Sequence, residues 1–480
     1  MLLDLWPWLV GAAALVADLI VSYHIILYKR DSRAAVAWLG IVWSAPLIGA
    51  TIYWVFGINR IVRRARKMRR RPKKTPPPVG SGNELPPSPP EPIPPEAAHL
   101  MPLAKLGTMV TVLPMCQGNT IQPLHTGDEA YPAMFEAIEQ AQHSVALSMY
   151  IFNNDHMGQR FVEVLGRAVQ RGIEVRVLVD GVGAQFGWHS IVGPLERAGV
   201  RTATFNPTLV PRYFSYANMR NHRKLLIADG RIGFTGGINI GDNYCPGIKP
   251  PLPIDDMQFR IEGPVVAHMQ STFIEDWKFA TEETLSGGRW FPHLEANGTQ
   301  PARGIASGPD EDFEKVRLVI LGALSEAQDR ICIMTPYFLP DAGLVSSLTI
   351  AALRGVQVDI LIPALSDLRL LPWACAAELP QVLEYGCRVW LMPPPFRHTK
   401  LMMIDGLWTM LGSANMDARS LRLNFEFNIE CYDRGLTEML EKRFQEYLTQ
   451  AERVTLDKLN RRSLPVKLRD GLARLLVPYL

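Results

Sequence analysis

The chain has 480 residues and a mass of 53.7 kDa, and 48% of its residues are hydrophobic against 20% charged, which excludes a wholly disordered protein. The formal net charge is +3, yet ten Lys/Arg and no acid fall in residues 60–74, so the rest of the chain is mildly acidic. Charge confined to one short strip does not resemble the spread basic face of a nucleic-acid binder, and six scattered cysteines without a C-x-x-C pair suggest reduced, buried thiols rather than a disulfide framework or a zinc site.

Residues 1–58 read as a membrane hairpin. Stretches 5–28 and 34–57 are each long enough to cross a bilayer, which needs about 20 residues. Aromatic residues sit near their ends: Trp6, Trp8, Tyr23 and Tyr28 in the first, Tyr53, Trp54 and Phe56 in the second. A cleaved signal peptide would want a basic start, whereas Asp4 is the first charge and a second apolar stretch follows at once. Three basic residues (Lys29, Arg30, Arg33) lie between the stretches and ten beyond them. The positive-inside rule therefore puts the N-terminus and everything after residue 58 in the cytoplasm, with the membrane crossed twice. Strip 60–74 also suits anionic lipid head groups. Asp18, within the first stretch, is costly in lipid unless it meets a partner or serves a function. Residues 59–98 form a basic and proline-rich linker, with eleven prolines in 72–95 that favour an extended tether.

The remainder is an internal duplication, divided here as lobes 99–295 and 296–480. AIEQAQHSVALSMYIF (137–152) followed by AVQRGIEVRVLVD (168–180) is matched by ALSEAQDRICIMTPYF (323–338) followed by AALRGVQVDILIP (351–363). Helical patterns alternating with β-branched runs predict an α/β fold of two pseudo-symmetric lobes, each a mixed sheet flanked by helices. Each half then carries H-x-K-x4-D-G-x5-G-[GS]-x-N: His222, Lys224, Asp229, Gly237 and Asn239 in the first, His398, Lys400, Asp405, Ser413 and Asn415 in the second. Residues two apart share a strand face, so each His and Lys point together. If Asp229-Gly230 and Asp405-Gly406 form two-residue turns, His222 lies opposite Gly237 and His398 opposite Ser413. Those small residues would leave room for a phosphate, with Asn239 and Asn415 beside it.

Two lysines, two amides and two imidazoles around one point make a phosphate clamp suited to phosphoryl transfer without a metal or other cofactor. One neutral imidazole can attack phosphorus; the other, protonated, can donate to the leaving alkoxide.

These paired motifs resemble the phospholipase D superfamily. The two apolar stretches, with A-x-A-W-L (35–39) and Y-W-V-F-G (53–57), resemble the N-terminal region of bacterial cardiolipin synthases, as do 220–244 and 412–433 their catalytic stretches. The resemblance implies one active site between two lobes and a phosphohistidine intermediate. It makes His222 the nucleophile and His398 the general acid/base, with Asp256 and Glu426 orienting the imidazoles. Asp229 and Asp405 complete the catalytic motif, their own part being structural. The implied reaction joins two phosphatidylglycerol molecules into cardiolipin and glycerol, with phospholipids in the membrane as partners and no nucleic acid. The rival readings are a phospholipase D hydrolase and a transphosphatidylase with another donor or acceptor. Ser148 stands where many relatives have Glu, and Arg419 and Ser420 either touch a head group or form a helix start after Asp417, the second reading being favoured. The basic amphipathic stretch 463–480 either lies on the membrane or packs on the body.

Overall fold

The computed structural model describes residues 2–29, 32–57, 92–183, 190–207, 220–308, 312–368 and 370–475. The basic strip 60–74 and nearly all of the proline-rich tether lie outside them. The described residues form two compact units, the N-terminal stretch and the body.

In the N-terminal unit, α1 (Leu2–Tyr28) is one continuous helix, and its part Trp8–Tyr28 is long and apolar enough to cross a membrane. The second apolar stretch is not the single helix expected. It divides into α2 (Ser32–Ser44), α3 (Ile48–Ile52) and a π-helical turn (Tyr53–Gly57). The break falls at Ala45-Pro46-Leu47, where proline supplies no amide hydrogen and Leu47 turns to a φ of 64°. The helices pack through Val21, Ile25, Val42 and Ala50, with Trp43 donating to Ser22 across the pair (3.1 Å). Asp18 is buried among these helices and does not face outward.

The body is organised by a sheet of fifteen strands: β1 (Cys116–His125), β2 (Ser144–Met149), β3 (Glu174–Asp180), β4 (Arg201–Phe205), β5 (Leu225–Ala228), β6 (Ile232–Gly236), β7 (Met257–Glu262), β8 (Gln300–Ser307), β9 (Arg330–Met334), β10 (Gln357–Pro363), β11 (Arg388–Met392), β12 (Leu401–Ile404), β13 (Trp408–Gly412), β14 (Glu426–Tyr432) and β15 (Glu452–Val454). Their order is β4-β3-β2-β5-β6-β7-β1-β8-β14-β13-β12-β9-β10-β11-β15. Read outward from the β1–β8 junction, the two halves repeat the same sequence of strands, and among the described residues β15 is the one addition. The lobes thus share one continuous sheet, joined where Cys116 pairs with Ala302 and Asn119 with Gln300.

Helices pack on this sheet where the duplicated pattern places them. His156–Gln170 buries Met157, Phe161, Val164, Leu165 and Ala168 and starts on Asp155, whose carboxylate accepts from Gly158 N. Ala342–Leu353 starts on Asp341 in the same way. Both end at an Arg-Gly pair, with Gly172 at φ 84° and Gly355 at φ 93°, the left-handed geometry that only glycine adopts without strain. One element crosses the expected division: helix Met101–Thr111, within the first-lobe segment 99–295, buries Leu103 and Ala104 in the core of the second lobe.

The two hairpins differ from expectation by one residue. Leu225 pairs with Thr235 and Ala228 with Ile232; Leu401 pairs with Leu411 and Ile404 with Trp408. Each turn holds three residues, with Asp229 and Asp405 themselves at positive φ. The ladders also end before the histidines, so His222 does not lie opposite Gly237, nor His398 opposite Ser413.

Candidate active site

His222 and His398 each stand three residues before a strand, in a segment stitched to the other lobe. His222 N donates to Phe425 O (2.9 Å) and Phe425 N to Arg220 O (2.8 Å). His398 N donates to Asp255 O (2.8 Å), and Phe396–Arg397 pairs in parallel with Ile254–Asp255. The side chains repeat the exchange. His222 Nδ1 lies 3.0 Å from Glu426 Oε2, and His398 Nδ1 lies 2.8 Å from Asp256 Oδ2. Each imidazole therefore belongs to one lobe and its carboxylate to the other. A carboxylate accepts, so the proton of the neutral ring sits on Nδ1 and Nε2 keeps its lone pair.

Both histidines line a single cavity of about 350 Å3. Lys224 Nζ donates to His222 O (2.8 Å), and Lys400 Nζ donates to His398 O. Burial drives the Lys224 ammonium down to about 7 and that of Lys400 to about 8, against the pull of Glu426 and Asp256. Burial also lowers the His222 imidazole to about 4, and it lowers His398 with the help of Lys400. Burial alone would raise both carboxylates, but Lys400 and His398 hold Asp256 below its usual range, and His222, Lys224 and Ser413 do the same for Glu426. The site thus presents neutral rings on ionised carboxylates, and an arriving phosphate would draw protons onto the bases around it.

The remaining motif residues fall in different places. Asp229 and Asp405 do not reach the cavity. They sit at the far ends of β5 and β12, where Asp229 accepts from the amides of Gln142, His143 and Ser144 and Asp405 from those of Gln328, Asp329 and Arg330. Although they belong to the repeated motif, each ties its hairpin turn to the start of the neighbouring strand and stands apart from the histidines. Gly237 and Ser413 make room for a carboxylate, not a phosphate. A Cβ on Gly237 would lie 2.3 Å from Asp256 Oδ1, while Ser413 Oγ is buried and donates to Glu426 Oε2 (2.5 Å). Asn239 and Asn415 do line the cavity. Asn239 is committed, its Oδ1 accepting from Ile151 N (3.1 Å) and its Nδ2 donating to Tyr244 OH (2.8 Å). Asn415 Oδ1 is buried with no hydrogen-bond partner among the described residues.

Several residues at the site escaped the motif reading. Tyr150 packs edge-on against His222, with ring centroids 4.8 Å apart, and Tyr337 does the same for His398 at 6.2 Å. Arg220 lines the cavity, with NH1 3.7 Å from Asp180, and so does Arg419, for which the sequence leaves a head-group contact open beside the helix start. Arg223 grips Asp276 through NH1 (2.6 Å to each oxygen) and donates from Nε to Glu426 O (3.0 Å), so it fixes the backbone that carries the carboxylate. Asp417 does cap helix Ala418–Arg422, as expected, yet Ser420 Oγ also donates to Glu426 Oε1 (2.6 Å). A signal for Arg220 and Arg223 was present: the two bracket Asn221-His222 in a segment leading into an apolar strand. Ser148 is buried on β2, opposite Leu225. Among the described residues no group of three or more His, Cys, Asp and Glu is placed to hold a metal ion.

Comparison with known proteins fits this geometry. Residues 134–277 and 320–448 match the family model described as cardiolipin synthase, PLD-like domain, and residues 16–57 match the phospholipase D-nuclease N-terminal model. The chain is 31% identical to the cardiolipin synthase of Geobacillus kaustophilus over 100% of its own length and 94% of that protein's. It is 32% identical to the cardiolipin synthase of Oceanobacillus iheyensis over 95% of each. Among solved structures, the phosphatidylserine synthase of Haemophilus influenzae superposes with a TM-score of 0.62 at 16% identity, covering 78% of this chain and 99% of that one, which shows a shared fold.

Proposed function

The chain belongs to the cardiolipin synthase family of phospholipase D-like proteins, and from that membership we propose that it joins two phosphatidylglycerol molecules into cardiolipin and glycerol through a phosphatidyl-histidine intermediate. The observation that carries this reading is the crossed arrangement: two imidazoles at one cavity, each with Nδ1 anchored on a carboxylate from the opposite lobe. In the first half-reaction His222 Nε2 attacks the phosphorus of one lipid. The bond to the head-group glycerol breaks, and that glycerol leaves with a proton from the His398 imidazolium. In the second, neutral His398 takes the proton of a hydroxyl on the second lipid as that oxygen attacks phosphorus. The P–N bond breaks and its electron pair returns to His222. Lys224 and Lys400 neutralise the phosphate oxygens as charge moves between nucleophile and leaving group.

The division of labour between the histidines has a structural support. Glu426 accepts four hydrogen bonds from side chains, which spreads its charge, whereas Asp256 accepts one from a side chain, His398, and one from its own neighbour Met257 N. The less solvated carboxylate better stabilises an imidazolium, as the acid/base role of His398 requires. For the setting, we place the body on the cytoplasmic side with the N-terminal stretch as a two-pass anchor. Lysine and arginine counts on either side of the apolar stretches and the match of 16–57 to the N-terminal model support this. The body is divided into lobes at about residue 295, with the segment preceding β1 serving the second lobe.

The test is product analysis by the purified full chain in vesicles of phosphatidylglycerol. Cardiolipin and glycerol in equal amounts are expected. Phosphatidic acid without cardiolipin would replace a synthase with a hydrolase, and ethanolamine release from mixed vesicles would identify a second donor.

A further inference from the structure

Helix Leu464–Leu475 is mounted with its apolar side outward. Leu464, Leu468, Leu472 and Leu475 are 59–69% exposed. At about 100° per residue they fall within an arc of roughly 80°. The face turned inward carries Asp470 and Ala473, both buried, and Asp470 is held by Arg462 (2.8 Å) and Arg469 (2.7 Å). A surface helix of a water-soluble domain has the opposite arrangement. The leucines do not stand alone. Leu468 and Leu472 share a shallow groove with Leu370 and Trp373, and the next residue along, Leu371, lines the catalytic cavity together with Leu368. Leu365 and Leu368, on the loop before it, are 59% and 45% exposed. An apolar rim therefore runs from the C-terminal helix to the edge of the active site. It is set among cations: residues 456–475 carry six Lys/Arg (Lys458, Arg461, Arg462, Lys467, Arg469, Arg474) against Asp457 and Asp470, and the face stays net positive when Glu452 and Glu378, the partners of Lys458 and Arg474, are counted with them.

We propose that this rim is the surface by which the catalytic body docks on an anionic phospholipid bilayer. The leucines enter the acyl boundary, the cations lie among head-group phosphates, and the cavity opens at the level where its substrate phosphates sit. This rests on the reading of the substrate as a phospholipid. Charge argues for the bilayer over a second copy of the chain, since two such net-positive faces would repel.

The experiment compares the wild-type full chain with L468E/L472E, both exposed positions outside the catalytic cavity. On vesicles containing phosphatidylglycerol the variant should turn over roughly tenfold more slowly. On short-chain phosphatidylglycerol in detergent solution the two should be equal. A nitroxide at position 472, introduced through L472C with labelled wild type as control, should collide with lipid-phase oxygen in preference to a water-soluble nickel complex. Equal vesicle turnover, or a nitroxide that stays water-accessible, would overturn the docking surface. So would a dimer in detergent that L468E/L472E dissociates, since it would identify a second copy as the occupant. If wild type makes no cardiolipin from the short-chain substrate, the functional reading fails, while the nitroxide still tests the surface.

Discussion

The first and second lobes repeat the same seven strands and carry the same His-x-Lys pair, but they do not hold their partner's imidazole alike. The second lobe offers His222 a glutamate bound by Ser413, Ser420 and Asn424. The first lobe offers His398 an aspartate packed over Gly237, where any side chain would collide with it. Duplication supplied two equal halves; the difference lies in how much of each carboxylate's charge is already spent on hydrogen bonds. A ring on a well-solvated carboxylate stays neutral and nucleophilic, while one on a barer carboxylate takes and returns protons more readily.

The sharpest way to break this comparison is to remove the rings one at a time. H222A and H398A should each lower cardiolipin formation by at least about 10^3-fold. They should separate on a phosphatidyl donor with an activated leaving group such as p-nitrophenol, which departs without a proton. There H398A should still release a burst of nitrophenol and trap the phosphatidyl-enzyme, detectable by mass spectrometry after denaturation at mildly alkaline pH, where the P–N bond survives, whereas H222A should show neither. A burst from H222A and none from H398A would exchange the two roles.

The carboxylate pockets give the next effects. G237A places a Cβ 2.3 Å from Asp256 Oδ1, so the carboxylate must move and His398 loses its anchor. Its activity should fall about 10^2-fold or more, with the loss largely relieved on the activated donor because that donor needs no general acid. S413A removes one of four hydrogen bonds to Glu426 without a clash, and a loss of about tenfold or less is expected. A larger loss in S413A than in G237A would invalidate the contrast between the pockets.

Much of this was legible before any coordinates. The duplicated H-x-K motif marked both histidines and lysines because a repeated constellation of polar residues is hard to produce by packing alone, and the helix–Arg-Gly–strand repeat predicted the fold. The family resemblance named Asp256 and Glu426 as the orienting acids, but it left open which acid serves which histidine. The pairing of His222 with Glu426 spans 204 positions, and no local pattern says that each acid serves the opposite lobe. The hairpin register was misread because Asp-Gly allows both two- and three-residue turns; that one-residue slip is what placed Gly237 and Ser413 opposite the histidines instead of under the carboxylates. The break in the second apolar stretch was visible as Pro46, but hydropathy over a window averages a proline away.

The lysines offer the gentlest probe, because one sits in each lobe and burial has shifted them unequally, to about 7 for Lys224 and about 8 for Lys400. A soluble phosphodiester such as glycerophosphoglycerol keeps a single negative charge across this range, so its affinity reports the protein's protons. Both ammonium groups are charged below these values, so the lysines' share of the binding should be tightest and flat there. As pH rises through about 7 and then about 8, each lysine must take up a proton before it can hold the anion, and affinity should fall by at least roughly tenfold by pH 9, each pKa unit being worth a factor of ten. K224M should remove the lower bend. K400M should remove the upper one and raise the lower, because the Lys400 charge is among the groups that depress Lys224. Calorimetric titration in two buffers of different ionisation enthalpy would count the protons taken up, and an affinity that does not change between pH 6 and 9 would mean that the two lysines do not face the phosphate together.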